Sequence, residues 1–102
     1  MPEIDIEELA TRLADGQPLL DVRQPDEYTE AHVPGAVLIP LDQLPQRMAE
    51  VPNPVLVICR SGGRSMAASQ LLAEQGIAAT NVAGGTLAWI GSGREVVSGT
   101  NP

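Results

Sequence analysis

The run Val55-Leu56-Val57-Ile58-Cys59-Arg60-Ser61-Gly62-Gly63-Arg64-Ser65 decides the fold. Its first five residues are apolar and three of them are β-branched, which is the composition of a strand buried on both faces. Strands of that kind belong to parallel sheets covered by helices on each side. Arg60-Ser61-Gly62-Gly63 reads as a turn. Ser65 to Gln75 reads as a helix, with Met66, Ser69/Gln70, Leu72 and Ala73 at helical spacing and Gly76 as its left-handed stop.

The flanks repeat the alternation. Upstream, Leu19 to Arg23 is a strand, Gln24 to Tyr28 turns into a short helix with Pro25 in its first turn, and Val37-Leu38-Ile39 is a strand halted by Pro40. Leu41 to Met48 reads as a short helix interrupted or begun at Pro45. Near the start, Asp5 caps a helix whose apolar face is Ile6, Leu9, Ala10 and Leu13, with Glu8 placed for a capping box. Gly16 and Pro18 end that helix. Downstream, Asn81-Val82-Ala83 is a short strand, Gly84-Gly85 a turn and Thr86 to Ile90 a short helix. Strands alternating with helices predict an α/β domain with a central, mainly parallel sheet and helices on both faces. Ligands of such sheets sit beyond the carboxyl ends of the strands, where Cys59 lies.

Length and charge narrow the function. At 102 residues the chain is one ordinary domain. Surface scaling gives roughly 5,500 Å² exposed when folded against roughly 15,500 Å² unfolded, enough burial for a core without disulfide or metal. Thirteen acids against six bases give a net charge of −7, and all six bases are Arg. Nucleic acid and acidic membranes are therefore poor partners. Without Lys there is no Schiff-base chemistry and no phosphate-loop lysine. One Cys makes no intrachain disulfide, and one His, one Cys and scattered carboxylates form no zinc set. Neither a membrane span nor a signal peptide is evident, so a cytoplasmic location is expected.

A lone Cys after a strand is commonly a small buried hydrophobe. That role does not account for two Arg and two Gly in the same turn. The following helix N-terminus, inward-facing backbone N–H groups allowed by the glycines, and the guanidinium groups of Arg60 and Arg64 all favour a thiolate. Thiols in such settings titrate at about 3.5–7.5.

This loop resembles the active-site loop of single-domain rhodaneses, the thiosulfate sulfurtransferase family. Leu20-Asp21-Val22-Arg23 followed by Glu27-Tyr28 is similar to the family's acid–Val–Arg segment. Glu30-Ala31-His32-Val33-Pro34-Gly35-Ala36 is similar to its His-Ile-Pro-Gly-Ala loop, with Ala31 where Gly is more usual. Val82-Ala83-Gly84-Gly85-Thr86-Leu87-Ala88-Trp89 is similar to its closing Gly-Gly-x-x-x-Trp segment. The resemblance covers roughly residues 3–97 and implies a single rhodanese-like domain over residues 1–97, with residues 98–102 as a short flexible tail.

The resemblance further implies a persulfide enzyme. Cys59 is the catalytic nucleophile, and Arg60, Ser61, Gly62, Gly63, Arg64 and Ser65 bind the substrate. Thiosulfate or another sulfane-sulfur donor supplies the sulfur; cyanide, a small thiol or a protein thiol accepts it. No cofactor and no metal is expected. Cysteine phosphatases related to this fold place Arg six residues after the Cys, whereas here that position is Ser65 and the loop is one residue shorter. The remaining alternative is a non-catalytic or regulatory binding module of the same fold. Arg23 is expected to pair with Glu27 across one helical turn. His32 is expected to bond backbone in a structural loop, and Trp89 to pack in the core.

Overall fold

A computed structural model describes residues 2–102. Five parallel strands form one sheet: β1 (Glu3–Ile4), β2 (Leu19–Asp21), β3 (Val37–Leu38), β4 (Val55–Ile58) and β5 (Ala79–Val82), in the spatial order β1-β5-β4-β2-β3. Three α-helices cross between them, α1 (Ile6–Ala14), α2 (Pro25–Glu30) and α3 (Gly63–Glu74), and a fourth, α4 (Gly85–Gly91), follows β5. The exposed surface is 5093 Å², in line with the scaling expectation.

β4 is central and buried along its whole length, as its apolar run requires. Its side chains alternate between two cores. Val55 and Val57 pack with Leu20, Ile39, Leu44, Ala68 and Leu72, so α3 covers that face. Leu56 and Ile58 pack with Leu9, Leu19, Tyr28, Val82 and Trp89, so α1, α2 and α4 cover the other. Each fully buried Leu, Ile or Val contributes roughly 1.5–3 kcal/mol. Among the described residues no helix is long and apolar enough to cross a membrane.

Local differences from the sequence reading have physical causes. α3 begins at Gly63 rather than Ser65, because Gly62 adopts a left-handed φ of +117° that turns the chain directly into the helix. Arg64 and Ser65 therefore belong to its first turn. The expected helix over residues 41–48 is two 3₁₀ segments, Leu41–Gln46 and Met48–Glu50, with Pro45 inside the first. Proline withholds the N–H that a continuous α-helix needs there. Asp5 caps α1 through the Glu8 N–H at 2.9 Å, but the Glu8 carboxylate turns to Arg12 at 3.0 Å instead of closing a capping box.

The C-terminal residues contact α2 and the segment after it. Val97 bridges His32 in antiparallel fashion, the Gly99 N–H donates to the Thr29 carbonyl at 2.8 Å, and the Ser98 hydroxyl donates to the Glu30 carbonyl at 2.9 Å. Backbone groups of α2 and the residues after it supply partners that no local pattern in residues 98–102 announces.

Candidate active site

Cys59 follows the last residue of β4, and α3 starts four residues later. Three hydrogen bonds shape the intervening turn from outside. The N-terminus of α4 lies under it: the Thr86 N–H and hydroxyl both donate to the Cys59 carbonyl at 2.9 Å, and the Leu87 N–H donates to the Arg60 carbonyl at 3.0 Å. This approach requires Gly85, at φ +59°, because a Cβ there would sit 2.5 Å from the Arg60 oxygen and 2.6 Å from the Cys59 oxygen. Gly84-Gly85, read from the sequence only as a turn, is thus the seat of the loop.

With the carbonyls held outward, the following N–H groups face the sulfur. The Gly62 N–H donates to Cys59 Sγ at 3.0 Å. Cys59 is 1% exposed. Burial pushes its titration up and is the largest single influence. The Ser65 hydroxyl and the N–H groups of Ser65, Gly62 and Ser61 together outweigh it, and the thiol titrates below its ordinary value. The activating groups are backbone dipoles and one hydroxyl, with the guanidinium groups secondary.

The structure separates the two loop arginines. Arg64 forms a two-pronged pair with Glu27, at 2.6 and 2.8 Å, across 37 residues of sequence. That pair, together with the Gln24 N–H at 3.1 Å, holds the Glu27 carboxyl down to about 2. Arg60 is exposed and makes no ion pair among the described residues. It borders a recess of about 190 Å³ whose other walls include Thr86, Leu87 and Ile90.

Arg23 does not pair with the Glu27 carboxylate as expected. It grips Asp21 instead, through Nε at 3.0 and 3.1 Å and Nη2 at 2.8 Å, with both side chains buried. The cause is that α2 begins only at Pro25, so Arg23 precedes the helix and the one-turn spacing does not apply. Its remaining N–H groups donate to the carbonyls of Glu27 and Ala31, at 3.3 and 2.9 Å. His32 is structural: Nδ1 lies 2.8 Å from the Tyr28 carbonyl, Nε2 lies 2.8 Å from the Asn101 carbonyl, and the ring stacks on Tyr28. Trp89 is 6% exposed in the core, with its N–H donating to the Glu95 carbonyl at 2.7 Å.

Residues 5–92 match the family model of the rhodanese-like domain. The chain belongs to the rhodanese-like family. A sulfurtransferase of Allochromatium vinosum is 40% identical over 101 residues, spanning 94% of each chain. The thiosulfate sulfurtransferase PspE of Escherichia coli is 40% identical over 70 residues, covering 65% of this chain and 67% of that protein. The crystal structure of a rhodanese-related protein from Thermoplasma volcanium superposes with a TM-score of 0.89 at 29% identity, over 95% of this chain and 98% of that one. Sulfur transfer is the activity to which the rhodanese-like family and these relatives point.

Proposed function

We propose that the chain is a thiosulfate sulfurtransferase working through a Cys59 persulfide. The Cys59 thiolate attacks the outer sulfur of thiosulfate, and the S–S bond of the donor breaks. Sulfite leaves with the bonding pair, and Cys59 keeps the sulfane sulfur as a persulfide anion. Cyanide or a thiolate then attacks that outer sulfur and carries it off, restoring the thiolate. No general base is needed when the thiolate is preformed. The observation that carries the reading is a buried sulfur at the turn into α3: the Gly62 N–H donates at 3.0 Å to the only thiol of the chain, and the Ser61 and Ser65 N–H groups also favour its anion. The same donors suit the charge of a persulfide. Gly62 and Gly63 let the backbone curl around the sulfur.

Arg60 is the cation available to a dianionic donor, whereas Arg64 serves the loop by tying it to α2. An exposed guanidinium matters more than usual here, because a net charge of −7 repels thiosulfate at long range. The recess beside Arg60 is smaller than the roughly 300–1,000 Å³ typical of drug-sized ligands, which suits a small inorganic donor or small thiol acceptor. The intact Cys59 loop argues against a purely non-catalytic module.

Incubation with thiosulfate should add the mass of one sulfur atom to the intact protein and none to Cys59→Ser. Arg60→Ala should lower kcat/KM for thiosulfate, with the loss shrinking at high salt if Arg60 steers and persisting if it contacts the donor. An unmodified wild-type mass, or faster turnover with 3-mercaptopyruvate than with thiosulfate, overturns the assignment.

A further inference from the structure

The carbonyls that end an α-helix find no partner further along it. In α2 the carbonyls from Glu27 to Glu30 are all met by groups outside the helix. The Glu27 carbonyl accepts from the Ala31 N–H at 3.4 Å and from Arg23 Nη1 at 3.3 Å. The Thr29 carbonyl accepts from the Gly99 N–H at 2.8 Å, and the Glu30 carbonyl from the Ser98 hydroxyl at 2.9 Å. The Tyr28 carbonyl lies 2.8 Å from His32 Nδ1. The C-terminal segment thus caps α2, and His32 stands between the two. Its backbone exchanges hydrogen bonds with Val97 at 2.8 and 2.9 Å, and its Nε2 lies 2.8 Å from the Asn101 carbonyl. His32 is fully buried.

A backbone carbonyl only accepts, so each ring nitrogen that meets one must carry a proton. A neutral imidazole has a single N–H and serves only one of the two carbonyls; an imidazolium serves both. We propose that a proton on His32 fastens the C-terminal segment, residues 97–101, to the end of α2, and that loss of this proton releases Asn101. The Tyr28 carbonyl is fixed by the helix four residues before His32, so Nδ1 keeps its proton and Nε2 gives one up. The bare Nε2 then sets its lone pair against those of the Asn101 oxygen, and Asn101, which is exposed, yields. Docking binds the proton, so acid closes the clasp and base opens it. The other groups around the ring do not compete for that proton. From α2 comes Tyr28, stacked on the imidazole, its titration pushed up by burial. Behind Tyr28 lie Asp21 and Arg23, paired with each other. Residues 97–101 carry no titratable side chain. Glu30 and Glu95 are exposed, and Arg94 faces Trp89 and Glu7. Among the described residues no carboxylate pairs with the ring. The clasp bears on the sulfur loop through α2, because Glu27 of that helix holds Arg64.

The inference stands apart from the proposed sulfur transfer, and its test uses no sulfur donor. Histidine ordinarily changes charge between about pH 5 and 8, and His32 is the only histidine of the chain. Nitrogen NMR of the full chain across that range therefore reads its ring protons without ambiguity. Hydrogen exchange of the Gly99 amide, corrected for the intrinsic effect of pH, reads docking in the same samples. Both ring nitrogens should carry a proton at the acid end, with Gly99 protected. As Nε2 loses its proton, Gly99 protection should fall about tenfold, the effect of losing one hydrogen bond to a charged group, with the same midpoint. Removing residues 101–102 takes away the second acceptor and leaves the core intact, so Gly99 should then exchange at the released level at every pH. His32→Gln, which donates to Tyr28 but does not titrate, should do the same. A ring with one proton while Gly99 stays protected overturns the proposal. So does protection that ignores pH, or a pH dependence that survives removal of residues 101–102. The last result is decisive even if His32→Gln does not fold.

Discussion

Replacing Gly85 by Ala should damage the protein more than a glycine substitution in a turn normally does. The added Cβ meets two backbone oxygens at 2.5 and 2.6 Å. Neither oxygen is at liberty to retreat, since the Cys59 carbonyl holds two hydrogen bonds from Thr86 and the Arg60 carbonyl one from Leu87. The left-handed backbone alone costs an L-residue roughly 1–2 kcal/mol, and overpacking a rigid contact adds roughly 1–3 kcal/mol. The expected loss is about 2–5 kcal/mol, a large part of the roughly 5–15 kcal/mol that holds a domain folded. Each kcal/mol moves the midpoint of a domain this size by about 4–8 °C, so Tm should fall by about 10 °C or more. Gly93→Ala supplies the comparison. Gly93 is also left-handed, at φ +81°, but its Cβ would meet nothing within 4 Å. It carries the backbone cost without the clash. Thermal unfolding of both variants, with iodoacetamide titration of Cys59, tests the reasoning. The Cys59 midpoint should rise in Gly85→Ala as the loop loosens and stay put in Gly93→Ala. If the two variants lose the same stability, the close approach of α4 to the loop is not what Gly85 serves.

Arg23→Ala should leave Asp21 charged and buried without its partner, costing about 3–5 kcal/mol; urea unfolding gives the loss, and a stable variant with collapsed turnover would reassign Arg23 to the chemistry. The Glu27 carboxyl titrates near 2 in the folded protein against an ordinary value of 4.5, so its stabilising contribution is complete above about 4.5 and is lost as pH falls toward 2. Glu27→Gln should therefore weaken the protein at neutral pH and flatten the acid limb of its stability curve; parallel curves for variant and wild type over that range would contradict the Arg64 pairing.

The parts of this structure that local pattern encodes are the parts legible in the sequence. The apolar run of β4, the glycine-rich turn after Cys59, the Asp5 cap of α1 and the stop at Gly76 each depend on near neighbours. So does the placement of Cys59 at the carboxyl end of a strand. Most of what escaped joins residues far apart in sequence. Glu27 lies 37 positions from Arg64, Glu3 lies 78 from Asn81, and Asn81 lies 16 from Ser65. No periodicity links them; only the strand order brings β1 beside β5 and α2 beside the start of α3. The mistaken partner of Arg23 has a different origin. Spacing four residues apart implies contact only inside a helix, and α2 starts two residues after Arg23. Gly85 was visible as a glycine, but its reason for being one is a backbone that passes against it from 25 residues upstream.

The burial of a solitary thiol also sets how cargo can leave. In the proposed reaction a persulfide on Cys59 would have no second cysteine in the chain to resolve it as an internal disulfide, and enclosure in the loop would disfavour head-on pairing of two loaded chains. Unloading in that reaction would be a bimolecular event, timed by the arrival of an acceptor slim enough to reach the outer sulfur. The same enclosure slows access of oxidants to a thiolate that has no neighbouring thiol to rescue it from a sulfenic acid.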